Sequence, residues 1–111
     1  MADLVTVIEQ AGPLPIKVNA NVQSDGPTMV MVAGSAWSAN QASQVGVALS
    51  IDGSLMAKAW IFANQASMHL AVVPFTFSYT FTIGQHTFEL DNLTGATRTD
   101  MNDFFSVTLL Y

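Results

Sequence analysis

With 111 residues the chain has the size of one domain and can bury a core without staples; it has no cysteine, which excludes disulfides, zinc–thiolate sites and thiol nucleophiles. The net charge is −5 and the only basic residues are Lys17, Lys58 and Arg98, too few to neutralise nucleic-acid phosphates or to hold an anionic lipid surface. Half of the residues are hydrophobic and 10% are charged, against about 25% charged in an ordinary soluble domain, yet no apolar stretch approaches the roughly 18 residues of a membrane helix.

The opening Met1-Ala2-Asp3-Leu4 has no basic n-region and no long apolar h-region, so no secretory signal is expected here. The compartment stays open between the cytoplasm and export by a non-classical route. Ile16, Val18, Ala20 and Val22 alternate with Lys17, Asn19, Asn21 and Gln23, the period of a strand with one wet face. Residues 28–33 are almost continuously apolar and read as a central strand. Val45, Val47, Leu49 and Ile51 alternate with small residues, and Asp52-Gly53 then predicts a type I′ hairpin into a strand over 54–62. Residues 55–63 and 68–73 are, like 28–33, apolar on both faces. Phe75, Phe77, Tyr79 and Phe81 form an aromatic row for a core face or a symmetry axis. Phe88 with Leu90, and Phe105 with Val107, Leu109 and Tyr111, complete the alternating segments. Gly12-Pro13, Asp25-Gly26-Pro27, Ile83-Gly84-Gln85 and Thr94-Gly95 mark further turns, and no segment carries a helical stripe. The pattern predicts an all-β protein, a two-sheet antiparallel β-sandwich of jelly-roll type, in a single domain over 1–111.

Catalytic patterns are missing: there is no Gly-x-Ser-x-Gly elbow, and His69 and His86 have no spacing that suggests a metal site. His69 reads as a strand position in an apolar run and His86 as a solvent-facing turn residue. The pentapeptide Ala-Asn-Gln-Ala-Ser occurs twice, at 39–43 and 63–67, each time shortly after an Ala-Trp pair. The two copies read as loops closing the same end of the sandwich or as a pair of binding loops. Trp37 and Trp60 are either core residues or, beside Asn40 and Asn64, platforms for sugar, whose C–H faces stack on indole while amides bond its hydroxyls. Arg98, Asp100, Asn102 and Asp103 form the one dense polar cluster. It is a turn with Arg98 paired to a nearby carboxylate, a ligand-contacting loop, or an oxygen-rich loop for calcium; it lacks the glycine and distal glutamate of an EF-hand loop. No resident metal and no cofactor are expected. Asn92-Leu93-Thr94 is a glycosylation sequon, relevant only in a eukaryotic secretory pathway.

The run 29–37 (MVMVAGSAW), the hairpin at Asp52-Gly53 and the ending 104–111 (FFSVTLLY) are similar to small trimeric jelly-roll domains of the tumour necrosis factor and complement globular head type, including microbial versions. That resemblance implies a compact homotrimer about an apolar axis, with sugar sites near subunit boundaries in the microbial lectins. The functional expectation is a non-enzymatic oligomeric recognition module, lectin-like, using Trp37, Asn40, Trp60, Asn64, Arg98, Asp100, Asn102 and Asp103. The alternative is a structural building block of a capsid, tail fibre or surface appendage. A homo-oligomer is expected in either case, a trimer from the resemblance or else a dimer, because the surplus apolar surface needs a second buried face.

Overall fold

In the computed structural model, which describes residues 3–111, every regular element is a strand. In chain order these are β1 (Leu4–Ala11), β2 (Ile16–Val22), β3 (Pro27–Ala33), β4 (Ser35–Ser38), β5 (Ser43–Ile51), β6 (Ser54–Ala63), β7 (Leu70–Ala71), β8 (Phe75–Thr80), β9 (Gly84–Asn92), β10 (Thr97–Arg98) and β11 (Phe104–Leu110). Two four-stranded antiparallel sheets, β1-β11-β3-β8 and β2-β9-β5-β6, are joined by a small three-stranded cap, β10-β4-β7. Among the eight long strands only β5 and β6 are consecutive neighbours in one sheet; every other connection crosses to the opposite sheet. That wiring is a jelly roll.

Period-two alternation places the core. Val30, Val32, Phe105, Val107 and Leu109 point inward from one sheet and Val47, Leu49, Ile51, Phe88 and Leu90 from the other, all essentially without solvent contact. Each such side chain contributes about 1.5–3 kcal/mol by burial. The aromatic row tapers from this core: Phe81 is buried, Phe77 and Tyr79 pack against the core half-buried, and Phe75 emerges at the edge. The segment 28–33, apolar throughout, is buried on one side only, with Met29 and Met31 left outside.

Asp52 (φ 51°) and Gly53 (φ 85°) turn β5 into β6 with the two positive φ values of a type I′ hairpin. His86 departs from its expected place in solvent. β9 begins at Gly84, so His86 shares the inward parity of Phe88 and Leu90 and is buried, edge-on to the Phe81 ring. Its Nδ1 donates to Asp52 Oδ2 at 2.6 Å and its Nε2 faces the Thr82 carbonyl at 2.7 Å.

Ser43 is paired with Ala63, so the two copies of the repeated pentapeptide lie side by side at one end of the sandwich. The connections 12–15, 39–42, 64–69 and 93–103 meet at that end. Backbone bonds from Gly12 N to Asp103 O, Ala39 N to Ala96 O and Ser67 N to Ser38 O tie them together.

Candidate functional site

The cap begins at Gly34, where β3 passes into β4. A Cβ there would stand 2.4 Å from Phe105 Cδ1, so the core ring can approach only because the residue is glycine. Along β4, Ala36 and Ser38 are buried, which turns Ser35 and Trp37 to the outside. Thr97 of β10 is also buried: its Oγ1 accepts from the Gly46 and Thr94 amides. The β4–β10 register then sets Arg98 directly beside Trp37, on the same outer side. On the other flank His69, just before β7, brings its ring to 5.9 Å from the Trp37 ring.

Beneath these residues lies a carboxylate network. Asp103 is fully buried. Its Oδ1 accepts from Ser35 Oγ at 2.6 Å and from His69 Nδ1 at 2.8 Å, and its Oδ2 accepts from the Asp100 amide at 2.9 Å. Burying a carboxylate with fewer partners would be strongly unfavourable. Asp100 Oδ2 stands 3.7 Å from His69 Nε2, and Asp100 Oδ1 accepts from the Asn102 amide at 2.8 Å. The Asp103 hydrogen bond, opposed by desolvation and aided by the charges of Asp103 and Asp100, raises the His69 pKa above its ordinary value. The imidazolium is thereby favoured. The Trp37 indole N–H is buried and has no hydrogen-bond acceptor among the described residues.

His69, Asp100 and Asp103 place ligating atoms within 4.8 Å of one another. The Asp103 oxygens are already engaged by Ser35, His69 and the Asp100 amide. Calcium takes six to eight oxygens, and an imidazole nitrogen is not one of its usual donors. The geometry therefore reads as a hydrogen-bonded turn.

A groove of about 570 Å³ adjoins the network through Ser35 and Asn102. It runs onto the outer face of the β1-β11-β3-β8 sheet, past Thr6, Glu9, Phe104, Ser106 and Thr108.

Of the residues expected from sequence, the fold brings Trp37, Arg98, Asp100 and Asp103 together and sets Asn102 at their edge. Trp60 lies apart, opposite Gly46 on β6, in a hollow with Leu55, Met56, Lys58 and Phe75. Asn64 lines another hollow with Phe62 and Met68, and Asn40 is an exposed loop residue whose amide bonds Ser38 Oγ. Among the described residues Arg98 pairs with no carboxylate: its Nη1 donates to the Gly95 and Thr97 carbonyls at 2.8 and 2.9 Å. Ser35 and His69 were not expected here. His69 meets Asp103 across 34 positions of sequence, and the only local sign was a polar side chain in an apolar run.

No family model matches this sequence, and no curated protein matches it in sequence. Solved structures match in fold. Dimeric latent PorU from Porphyromonas gingivalis superposes with a TM-score of 0.60 at 11% identity, over 98% of this chain and 12% of that one. The C-terminal domain of EclA, described as a sugar-binding protein, gives 0.52 at 17% identity, over 98% of this chain and 76% of that one. A family 35 carbohydrate-binding module from Clostridium thermocellum gives 0.50 at 4% identity, over 96% and 91%. The chain spans only 10% of another match, a β-glucosidase from Paenibacillus barengoltzii. At these identities the likeness is one of fold.

Proposed function

We propose that this chain is a non-catalytic carbohydrate-recognition module that binds glycan on the cap face around Trp37. The carrying observation is the half-buried Trp37 ring on the outer side of the cap, paired in register with Arg98 and 5.9 Å from the His69 ring that rests on Asp100 and Asp103. A sugar meets all of that chemistry at once. Its C–H face stacks on the half-buried indole, and its hydroxyls reach the guanidinium and the Asp100 carboxylate. The sugar-binding domain and the carbohydrate-binding module among the fold matches support this reading.

In this reading the whole chain, 1–111, acts as one domain and works as a homo-oligomer. The trimer comes from the resemblance to tumour necrosis factor-type jelly rolls. Asn40, Asn64 and Trp60 then serve as outlying contacts, if any ligand is large enough to reach them. A structural building block without a small ligand is the second reading, favoured by the exposed apolar row Leu4, Leu110 and Met29 on one sheet.

A glycan array tests the choice. The purified protein is expected to bind a defined set of sugars, and Trp37→Ala to abolish that binding with the oligomer mass unchanged. A blank array at high protein concentration favours the structural unit.

A further inference from the structure

We propose that the site does not end at the cap but continues along the groove on the outer face of the β1-β11-β3-β8 sheet, and that its ligand is an extended, uncharged oligosaccharide rather than a single sugar. The inference rests on the carbohydrate reading above and adds a second stacking platform, Phe104.

Continuity comes first. Ser35 belongs to both regions: its hydroxyl donates to Asp103 beneath the cap, and its side lines the groove. Asn102, between Asp100 and Asp103 in the turn, forms the next part of the wall. Ser35 and Trp37 face the same way on β4, so Ser35 and Asn102 are the residues that link the two regions.

The lining comes second. Phe105 enters the core, so alternation sends Phe104 outward, where it is 54% exposed. An exposed phenyl forgoes burial, a cost that a stacked pyranose face offsets. The other outward residues of β11, Ser106 and Thr108, offer hydroxyls along the floor, joined by Thr6 of β1. β1 has a register shift between Thr6 and Ile8 that brings Glu9 opposite Ser106, and Glu9 lines the groove. Among the described residues Glu9 is in no ion pair, so its carboxylate is available to accept from sugar hydroxyls. An aromatic ring, a carboxylate, an amide and a row of hydroxyls in one cleft are complementary to a polyol with apolar C–H faces. The volume of about 570 Å³ lies within the usual range of ligand clefts.

Charge sets the class of sugar. None of Lys17, Lys58 and Arg98 lines the groove, whereas Glu9 does; the cap end carries both signs, Asp100 with His69 and Arg98. An anionic chain carrying uronate or sulfate would be repelled along the groove.

The test titrates the purified chain, by calorimetry, with xylose through xylohexaose and with galactose through β-1,3-galactotetraose. In the series that binds, affinity is expected to rise at least tenfold from monosaccharide to tetrasaccharide. Phe104→Ala, with an unchanged melting temperature as its folding control, is expected to collapse that ratio, and Trp37→Ala to remove binding altogether. Affinity independent of chain length, or a length gain that survives Phe104→Ala, overturns the extension and leaves the Trp37 reading standing. Binding that survives Trp37→Ala overturns the cap reading, and no binding in either series overturns both for these sugars.

Discussion

His86 is held between two acceptors, a carboxylate at one nitrogen and a carbonyl at the other, so both nitrogens must carry protons. The Asp52 hydrogen bond raises its pKa against the cost of desolvation, with the Thr82 carbonyl and the Asp52 charge adding to the rise. For Asp52, burial acts to raise the pKa, but the bonds from His86 and the Thr87 amide prevail and lower it. The signs follow from linkage. A raised histidine contributes stability in full below its unfolded pKa, about 6.5, and loses it as the pH climbs through the folded value. A lowered aspartate contributes above its unfolded pKa and loses it as the pH falls through the folded value. The pair therefore stabilises most in mildly acidic solution. His69, raised by Asp103, acts in the same direction as His86. The melting temperature is expected to decline between pH 6 and pH 8.5. His86→Gln should flatten part of that slope, and adding His69→Gln the rest. Melting curves across this range check it; a wild-type midpoint that is flat or rising from pH 6 to 8.5 contradicts the assignment of imidazolium.

At the scale of the element, the hairpin at Asp52-Gly53 joins β5 and β6, of nine and ten residues, and anchors His86. Gly53 has φ 85°, and a Cβ there would meet nothing within 4 Å, so conformation alone decides a substitution. An L-residue in the left-handed region costs roughly 1–2 kcal/mol, and a β-branched one at least that. Gly53→Val is expected to lower the unfolding free energy by about that amount in urea denaturation. An unchanged midpoint means that the turn does not hold this backbone. β4 shows a different economy: four residues long, it buries Ala36 and Ser38 and thereby presents Ser35 and Trp37.

For the whole molecule the two sheets have unlike outer faces. The β2-β9-β5-β6 sheet carries Lys17, Lys58, Glu89 and Asp91 with Asn19, Asn21 and Gln85. Burial and the neighbouring Glu89 raise the Asp91 pKa, as expected where two carboxyls share a face. The outward residues of β3 and β11 carry no charge at all. Leu4, Leu110 and Met29 form one cross-strand row, with Met31 in the next, each 42–71% exposed. The Leu4–Leu110–Met29 row, beyond Thr6 and Thr108 at the end of the groove, is where the proposed oligomer would close. Light scattering coupled to size exclusion is expected to give a multiple of 11.9 kDa at micromolar concentration. Met29→Lys with Leu110→Lys should return the monomer. A wild-type mass near 12 kDa ends the assembly argument.

What the sequence determined by itself is the strand content, the sandwich and the Asp52-Gly53 turn. These follow from period-two burial and from the φ demands of single residues, both local properties of the chain. It also bore the fragments of the cap: Trp37, Arg98, Asp100 and Asp103 stand out as an aromatic and a polar cluster. Alternation from Phe88 and Leu90 already implied that His86 points inward, although its place just after Gly84-Gln85 reads as a turn. Only the tertiary structure decided which fragments meet. The β4–β10 register sets Arg98 against Trp37, and the β6–β8 crossover delivers His69 to Asp103. Trp60, so similar in its sequence setting to Trp37, is left on another strand and another hollow. Such meetings depend on which sheet each crossover reaches, and a pairing between residues dozens of positions apart leaves no periodicity in a single chain to read.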